Sequence, residues 1–253
     1  MIEAGPDYPL FKEPTNRNIR IWRYMDFAKF VAMLQKGGLF FPRADRLGDP
    51  LEGSMSRANR KVRDQMASTT NAPSADMLAQ LSEFRKWLPR WTFICCWHMN
   101  EVESAAMWSL YGRSDKAIAL QATYRGLRES LDDGVYTGEV RYIDYENDPI
   151  PEGNLFFPFT HKRTSFEHEM ELRAIYQYWP TEELPTQGSR IDYSIAPPEE
   201  GVWKNVPLDR LLEAIYVNPG SPAWFAELVR DVVAKYGLSV EVRQSDLVKD
   251  PVY

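Results

Sequence analysis

The stretch FEHEMELR, residues 166–173, gathers four charges at alternate positions of a 253-residue chain. Glu167, Glu169, Glu171 and Arg173 alternate there with Phe166, His168, Met170 and Leu172. On an extended backbone all four charges fall on one face, because side chains alternate with a period of two. Three carboxylates so placed repel one another unless cations or a ligand neutralise them. Lys162, Arg163 and Arg173 are the cations at hand. A solvated strand face explains the same pattern without a ligand. Asp49 and Glu52, in the loop DPLEG, form a second acidic pair, or else a turn and a helix cap. Cys96-Trp97-His98 has ligand-compatible spacing on a strand, and zinc would need two further ligands from elsewhere, with His161 and His168 as the candidates. With no second CxxC and no HxxxH, the plainer reading makes Cys95 and Cys96 small core residues, and no metal is assigned. GxSxG, GxGxxG and Walker A loops are absent, which argues against the hydrolase elbow, the Rossmann fold and the P-loop.

Aromatic residues beside polar ones add a third element. Trp22-Arg23-Tyr24, Trp97-His98, and Trp108 with Tyr111 have the groups to stack a planar ring and hold its phosphate, although core packing also accounts for each.

The elements that must position these residues read as follows. Residues 19–24 alternate as a strand, and Asp26 caps a helix with Phe27, Phe30, Val31 and Leu34 on one face, closed by Gly37-Gly38. A short strand at 39–41 precedes the acidic loop. Residues 54–89 read as an inserted pair of polar helices around a flexible break at 68–74. The run WTFICCW, 91–97, has buried-strand length. Asn100, with Glu103 three residues on, predicts a capped helix to Tyr111. Strands are expected at 116–123 and 136–145, a helix at 160–167, a strand at 169–178 and an irregular loop at 180–198. The tail, 205–253, reads as a short helix at 207–212, then a strand, a helix and a strand. The long helix opens at Ser221-Pro222 with Trp224, Leu228, Val232 and Tyr236 as its buried stripe. With a coil arm at 1–18 and no linker beyond it, the expectation is one α+β domain over 19–253, a mixed or antiparallel central sheet flanked by helices.

Composition bounds the function classes. At 44% apolar and 13% aromatic the chain has ample core material. Two adjacent cysteines exclude a disulfide scaffold, and no apolar run spans a bilayer. With no signal-peptide pattern at the first residues, a cytoplasmic location is expected. The net charge of −6 argues against generic duplex-DNA binding. The charge is uneven, +5 over residues 1–90 and −11 beyond. Arg57, Arg60, Lys61 and Arg63 are the densest basic piece, either a solvated helix face or a contact for phosphate or nucleic acid.

The segments IWRYMDFAKFVAML, RADRLGDPLEGS, CWHMNEVESAAMWSLYG, VRYIDYE and HKRTSFEHEMELRAIY, in this order, resemble a family of bacterial and phage proteins classed as a domain of unknown function. That resemblance runs from Ile19 to the C-terminus and implies no activity. A more distant one is to ADP-ribosyltransferases of the diphtheria-toxin, arginine-modifying and DNA-targeting toxin types. Their ordered triad is an Arg or His on a first strand, an aromatic or Ser on a central strand-to-helix element, and a Glu, often in E-x-E, on a late strand. Arg23 with Tyr24 matches the first place, 96–98 leading into 105–111 the second, and Glu169 or Glu171 the third. No Ser-Thr-Ser segment and no His-Tyr pair is present.

The resemblance implies an NAD-using transferase or glycohydrolase of toxin or phage-defence type, with an ADP-ribosyltransferase-like fold. Arg23 and Arg20 would hold the pyrophosphate, with Tyr24, Trp97 or Trp108 stacked on nicotinamide. Glu171 would hold the ribose and the developing cation, and Glu169 would orient or deprotonate the acceptor. His98, Tyr111, Lys162 and Arg173 would complete the cofactor site. Two rivals stand beside it. In one, Asp49 or Glu52 joins Glu169 and Glu171 around Mg²⁺ for phosphodiester cleavage, with Lys162 or Arg163 on the phosphate. In the other, the charged face and aromatic surfaces bind a ligand or partner without turnover.

Overall fold

The computed structural model describes residues 8–67, 74–184 and 188–248. β1 (Arg20–Asp26) is buried at both Ile21 and Trp22, so both of its faces are covered. Asp26 caps α1 (Phe27–Lys36) by accepting the Lys29 amide at 2.8 Å. Gly37 ends that helix at φ 60°, a left-handed geometry that costs glycine nothing. β2 (Gly38–Pro42) follows directly. Residues 54–89 supply the expected helix pair, α2 (Arg57–Ala67) and α3 (Ala75–Trp87), while most of the expected break at 68–74 lies outside the described residues. β3 (Thr92–Met99), α4 (Ala105–Tyr111) and β4 (Ala117–Thr123) come next, and then a helix the sequence did not announce, α5 (Tyr124–Ser130). The middle of the chain adds β5 (Val135–Glu139), β6 (Arg141–Ile143), β7 (His161–Arg163) and β8 (Glu171–Gln177). The last third holds β9 (Thr181–Leu184), β10 (Gly188–Ile191), β11 (Gly201–Asn205), α6 (Leu208–Leu211), β12 (Ala214–Val217), α7 (Ala223–Lys235) and β13 (Glu241–Gln244).

One α+β domain results. Its central sheet runs β13-β12-β4-β1-β3-β8-β5, and every pairing is antiparallel except β12 with β13, which α7 connects as a parallel crossover. The main core, from Ile21 and Phe30 through Leu120 to Phe225 and Val229, fills the space between this sheet and its helices. The pairing has one weak seam. β1 follows β4 over seven residue pairs, but it meets β3 only at Ile21↔Met99 and Trp22↔His98. Beyond Trp22 the two strands part, while β3 stays paired with β8 from Thr92↔Gln177 to His98↔Glu171. The sheet therefore opens a wedge between β1 and β3.

Several expectations are corrected. The strand expected from Glu169 begins at Glu171. The helix expected at 160–167 is β7 followed by a 3-10 turn, Thr164–Glu169, and Met170 sits at φ 38° between turn and strand. Glu167, Glu169 and Glu171 thus do not share a strand face. The expected strand 136–145 divides at Val140, whose amide donates to Glu171 O at 2.9 Å while the next amide, Arg141, turns to Thr160 O at 2.9 Å. The cap of α4 is Ser104, not Asn100. Glu103 instead accepts the Trp108 indole N–H at 2.9 Å. The loop at 180–198 contains the hairpin β9–β10. On α7 the buried stripe is Phe225, Ala226, Val229 and Val233, whereas Trp224 is 52% exposed and Leu228 and Tyr236 are exposed as well. Phe225 packs edge-on against Phe27 at 5.2 Å, which turns the helix one residue away from the expected face.

Candidate active site

The wedge between β1 and β3 is the floor of a cavity of about 470 Å³. β1 contributes Arg23 and Tyr24, β3 contributes Cys96, Trp97 and His98, and β8 contributes Glu171 and Arg173. Cys96 faces Arg173 and His98 faces Glu171 across the β3–β8 ladder, so the two pairs share one side of the sheet. Glu169, Lys162 and Tyr111 close one wall, and Asp49 and Glu52 reach in from the acidic loop. Eleven sequence-predicted site residues meet here: Arg23, Tyr24, Asp49, Glu52, Trp97, His98, Tyr111, Lys162, Glu169, Glu171 and Arg173.

Two predicted residues do not line the cavity. Arg20 is exposed and donates to Glu101 O at 3.0 Å, on the outside of the sheet. Trp108 is buried behind Tyr24, ring edge to ring face at 5.0 Å, and so backs the wall without lining it. Lys29, Met33, Phe40 and Trp203 line the cavity without having been singled out. The apolar stripe expected on α1, Phe27, Phe30, Val31 and Leu34, contains none of them, and Phe40 was marked only as part of the short strand at 39–41.

Charge is organised around Arg173, buried to 1% exposure. Its Nε and Nη2 donate to Glu171 at 2.9 and 3.2 Å, its Nη1 and Nη2 to Glu52 at 2.6 and 2.8 Å, and Nη1 also to Phe159 O at 2.7 Å. A planar guanidinium fork suits two carboxylates at once. Lys162 donates to Glu171 at 3.2 Å and, more closely, to Glu169. Arg163 pairs with Asp49 at 2.7 Å. Burial would raise the Glu171 carboxyl, but Arg173 and then Lys162 outweigh it and hold it down to about 2. For Glu52 burial prevails over the same guanidinium and the carboxyl is pushed up, with Glu171 adding to the push. All four carboxylates that the Mg²⁺ reading would use therefore carry a lysine or arginine partner, and the described residues contain no group of three His, Cys, Asp or Glu arranged to hold a metal.

Glu169 is differently held. Its Oε1 accepts the Tyr111 hydroxyl at 2.7 Å, and Oε2 accepts Lys162. Its main-chain oxygen lies 2.6 Å from His98 Nδ1, which must carry the proton in that contact. Burial lowers the His98 pKa, so the ring is neutral and Nε2 holds a lone pair. Nε2 is buried and has no hydrogen-bond partner among the described residues. Arg23 stands apart from the ion network. It donates to Cys95 Sγ at 2.8 Å and to Phe40 O at 3.0 Å, and among the described cations lining the cavity it is the one without a carboxylate partner. Cys95 is buried, in keeping with its reading as a core residue, and its thiol pKa is pushed up, by burial first.

The basic segment lies on α2, where each of its four cations has a partner. Arg57 pairs with Glu146 at 3.0 Å, Arg60 faces Asp64 at 3.9 Å, Lys61 donates to Glu146 O at 3.0 Å, and Arg63 pairs with Glu152 at 2.8 Å. Only the Arg63–Glu152 pair has a buried carboxylate; the Arg57 and Arg60 pairs lie in solvent and Lys61 meets a neutral carbonyl. No helix among the described residues is long and apolar enough to cross a membrane.

No family model and no curated protein matches the chain. Two solved structures are similar over most of its length. Thermus sp. 2.9 DarT in complex with carba-NAD⁺ is 8% identical at a TM-score of 0.40, covering 93% of this chain and 100% of that one. Thermus sp. 2.9 DarT in complex with NAD⁺ is 10% identical at a TM-score of 0.40, covering 94% and 100%.

Proposed function

We propose that the cavity binds NAD and cleaves its nicotinamide–ribose bond, passing the ADP-ribosyl group to a nucleophilic acceptor or to water. The observation that carries this reading is the pairing of an uncommitted guanidinium, Arg23, with a held carboxylate, Glu169, on opposite sides of one aromatic-walled cavity. Arg23 would take a pyrophosphate oxygen in place of its thiol and carbonyl contacts, a charge-assisted exchange that favours the ligand. Tyr24 and Trp97 line the cavity, and a planar base would pack against that aromatic wall. As the C1′–N bond breaks, its electron pair leaves with nicotinamide and positive charge grows on the ribose. Glu169, oriented by the Tyr111 hydroxyl, would stabilise that charge. The acceptor's lone pair then forms the new bond to C1′, and its proton passes to Glu169 or to water. Glu171 acts one step back, as the anchor that fixes Lys162 and Arg173.

The test is nicotinamide release from NAD by wild type, Glu169→Gln and Glu171→Gln, with and without EDTA. Release that ignores EDTA and falls at least a hundredfold in Glu169→Gln supports the reading. Release abolished by EDTA, or no NAD binding by calorimetry, overturns it.

A further inference from the structure

A second cavity, of about 370 Å³, lies beyond Glu52, between α3 and the segment 151–158. Leu81, Leu88 and Pro158 give it apolar walls, and Arg63, Arg85 and Lys86 bring positive charge to it. Two guanidiniums here share one carboxylate. Arg63 takes Glu152 Oε1 through Nε at 3.1 Å and Nη2 at 2.8 Å, and Asn59 donates to the same oxygen at 3.1 Å. Arg85 Nη2 approaches the other oxygen only to 3.6 Å, beyond hydrogen-bond reach. Arg85 Nη1 is buried and has no hydrogen-bond partner among the described residues. Seven buried side-chain polar atoms lack a partner among the described residues, and Arg85 is the one of those residues that lines this cavity, where an acceptor can reach it. Burial, and after it the like charge of Arg63, makes Arg85 hold its proton less tightly than usual. Neither of the other carboxylates supplies that acceptor: Glu52 is committed to Arg173, and Glu83 pairs with Lys86, their side chains 74% and 71% exposed.

We propose that this cavity is a binding site for a small amphipathic anion, its phosphate or carboxylate group seated on Arg85 and Lys86 and its apolar body against Leu81, Leu88 and Pro158. An anion supplies the acceptor that Arg85 Nη1 lacks and offsets the crowding of Arg85 by Arg63. The volume lies within the usual range for small-molecule sites, and the lining sets Leu81, Leu88 and Pro158 beside a charged rim. The inference does not depend on the chemistry of the first cavity.

Titration calorimetry on the full chain with phenyl phosphate, benzoate and benzyl alcohol tests it. In the Arg23→Gln chain, which lacks the phosphate contact proposed for the first cavity, at least one of the two anions should bind one-to-one, with benzyl alcohol at least tenfold weaker; the tighter anion identifies the headgroup. Arg85→Gln should weaken that anion at least tenfold, as expected for a hydrogen bond to a charged group. Ser82 is exposed and lines the same cavity, so Ser82→Glu should do the same without disturbing the fold. Arg23→Gln should leave the affinity unchanged, which separates this site from the first and from any failure of nicotinamide release. Equal binding of benzyl alcohol, no binding of either anion, or loss in Arg23→Gln with retention in Ser82→Glu would overturn the assignment.

Discussion

Glu171→Gln replaces a buried carboxylate with an amide of the same shape, and its cost should depend on pH in a calculable way. The Glu171 carboxyl sits at about 2 in the fold against an ordinary 4.5. At ~1.4 kcal/mol per unit, that difference contributes about 3 kcal/mol of stability where both folded and unfolded carboxyls are ionised. The folded value is depressed, so this stability is complete above 4.5 and is lost as the pH falls toward 2. By pH 3 about 2 kcal/mol of it is gone. Removing the charge also leaves Arg173 with Glu52 as its sole carboxylate, so at pH 7 the substitution should cost about 3–5 kcal/mol in all. The assay is urea unfolding of wild type and Glu171→Gln at pH 7, 5, 4 and 3. Every other carboxylate titrates in both proteins, so the difference between the two curves isolates position 171 apart from its coupling to neighbours. The destabilisation should shrink by about 2 kcal/mol between pH 7 and pH 3. A cost that stays constant with pH would refute the argument that Arg173 and Lys162 hold this carboxylate ionised.

Other outcomes follow from named contacts. Tyr111→Phe removes the hydroxyl from Glu169, and nicotinamide release should fall about tenfold, equivalent to ~1.4 kcal/mol, with the melting temperature nearly unchanged because Tyr111 is 49% exposed. Arg23→Gln should weaken NAD binding about ten- to hundredfold by calorimetry, the worth of one charge-assisted contact. On α7, Val229→Ala should cost about 2–3 kcal/mol in chemical unfolding and Trp224→Ala less than about 1 kcal/mol, reversing the order that the helix's own pattern suggests. Gly53→Ala should be destabilising by more than about 1 kcal/mol, because Gly53 sits at φ 71° and a Cβ there would come within 2.3 Å of the Phe159 ring.

What the sequence makes legible is the part where a local rule and the tertiary fold agree. Asp26 and Gly37 bound α1 as capping chemistry demands, and apolar runs locate β1, β3 and β4 to within two residues. α7 fails for an instructive reason. Trp224, Leu228, Val232 and Tyr236 form an apolar stripe as regular as Phe225, Val229 and Val233, and periodicity alone cannot rank two stripes one residue apart. The contact with Phe27, 198 residues away in sequence, ranks them. At 167–171 the obstacle is Met170. A left-handed backbone at a non-glycine residue leaves no mark in the pattern, yet it separates Glu169 from the strand that Glu171 begins. The gathering of Arg23, His98, Glu169 and Glu171 was readable as residue types, while the β1–β3 wedge that makes room among them belongs to pairing alone.

That separation also decides which glutamate can meet a ligand. Glu171 is bound on both oxygens by Arg173 and again by Lys162, and it accepts them in full burial. Drawing it toward a substrate would break charge pairs worth about 3 kcal/mol by its own titration shift, and no single neutral hydroxyl on a ribose repays that. Glu169 gives up less, since its Oε1 is held by one phenolic hydroxyl on a half-exposed tyrosine, a bond worth about 1.5 kcal/mol. Exchanging that bond for a ribose hydroxyl is nearly free, and the carboxylate keeps Lys162 as its counter-charge while it does so. The same reasoning applies across the cavity. Arg173 is fixed by two carboxylates, while Arg23 surrenders only a thiol and a carbonyl. The network around Arg173 is thus the rigid half of the site, and Arg23 with Glu169 is the half free to change partners.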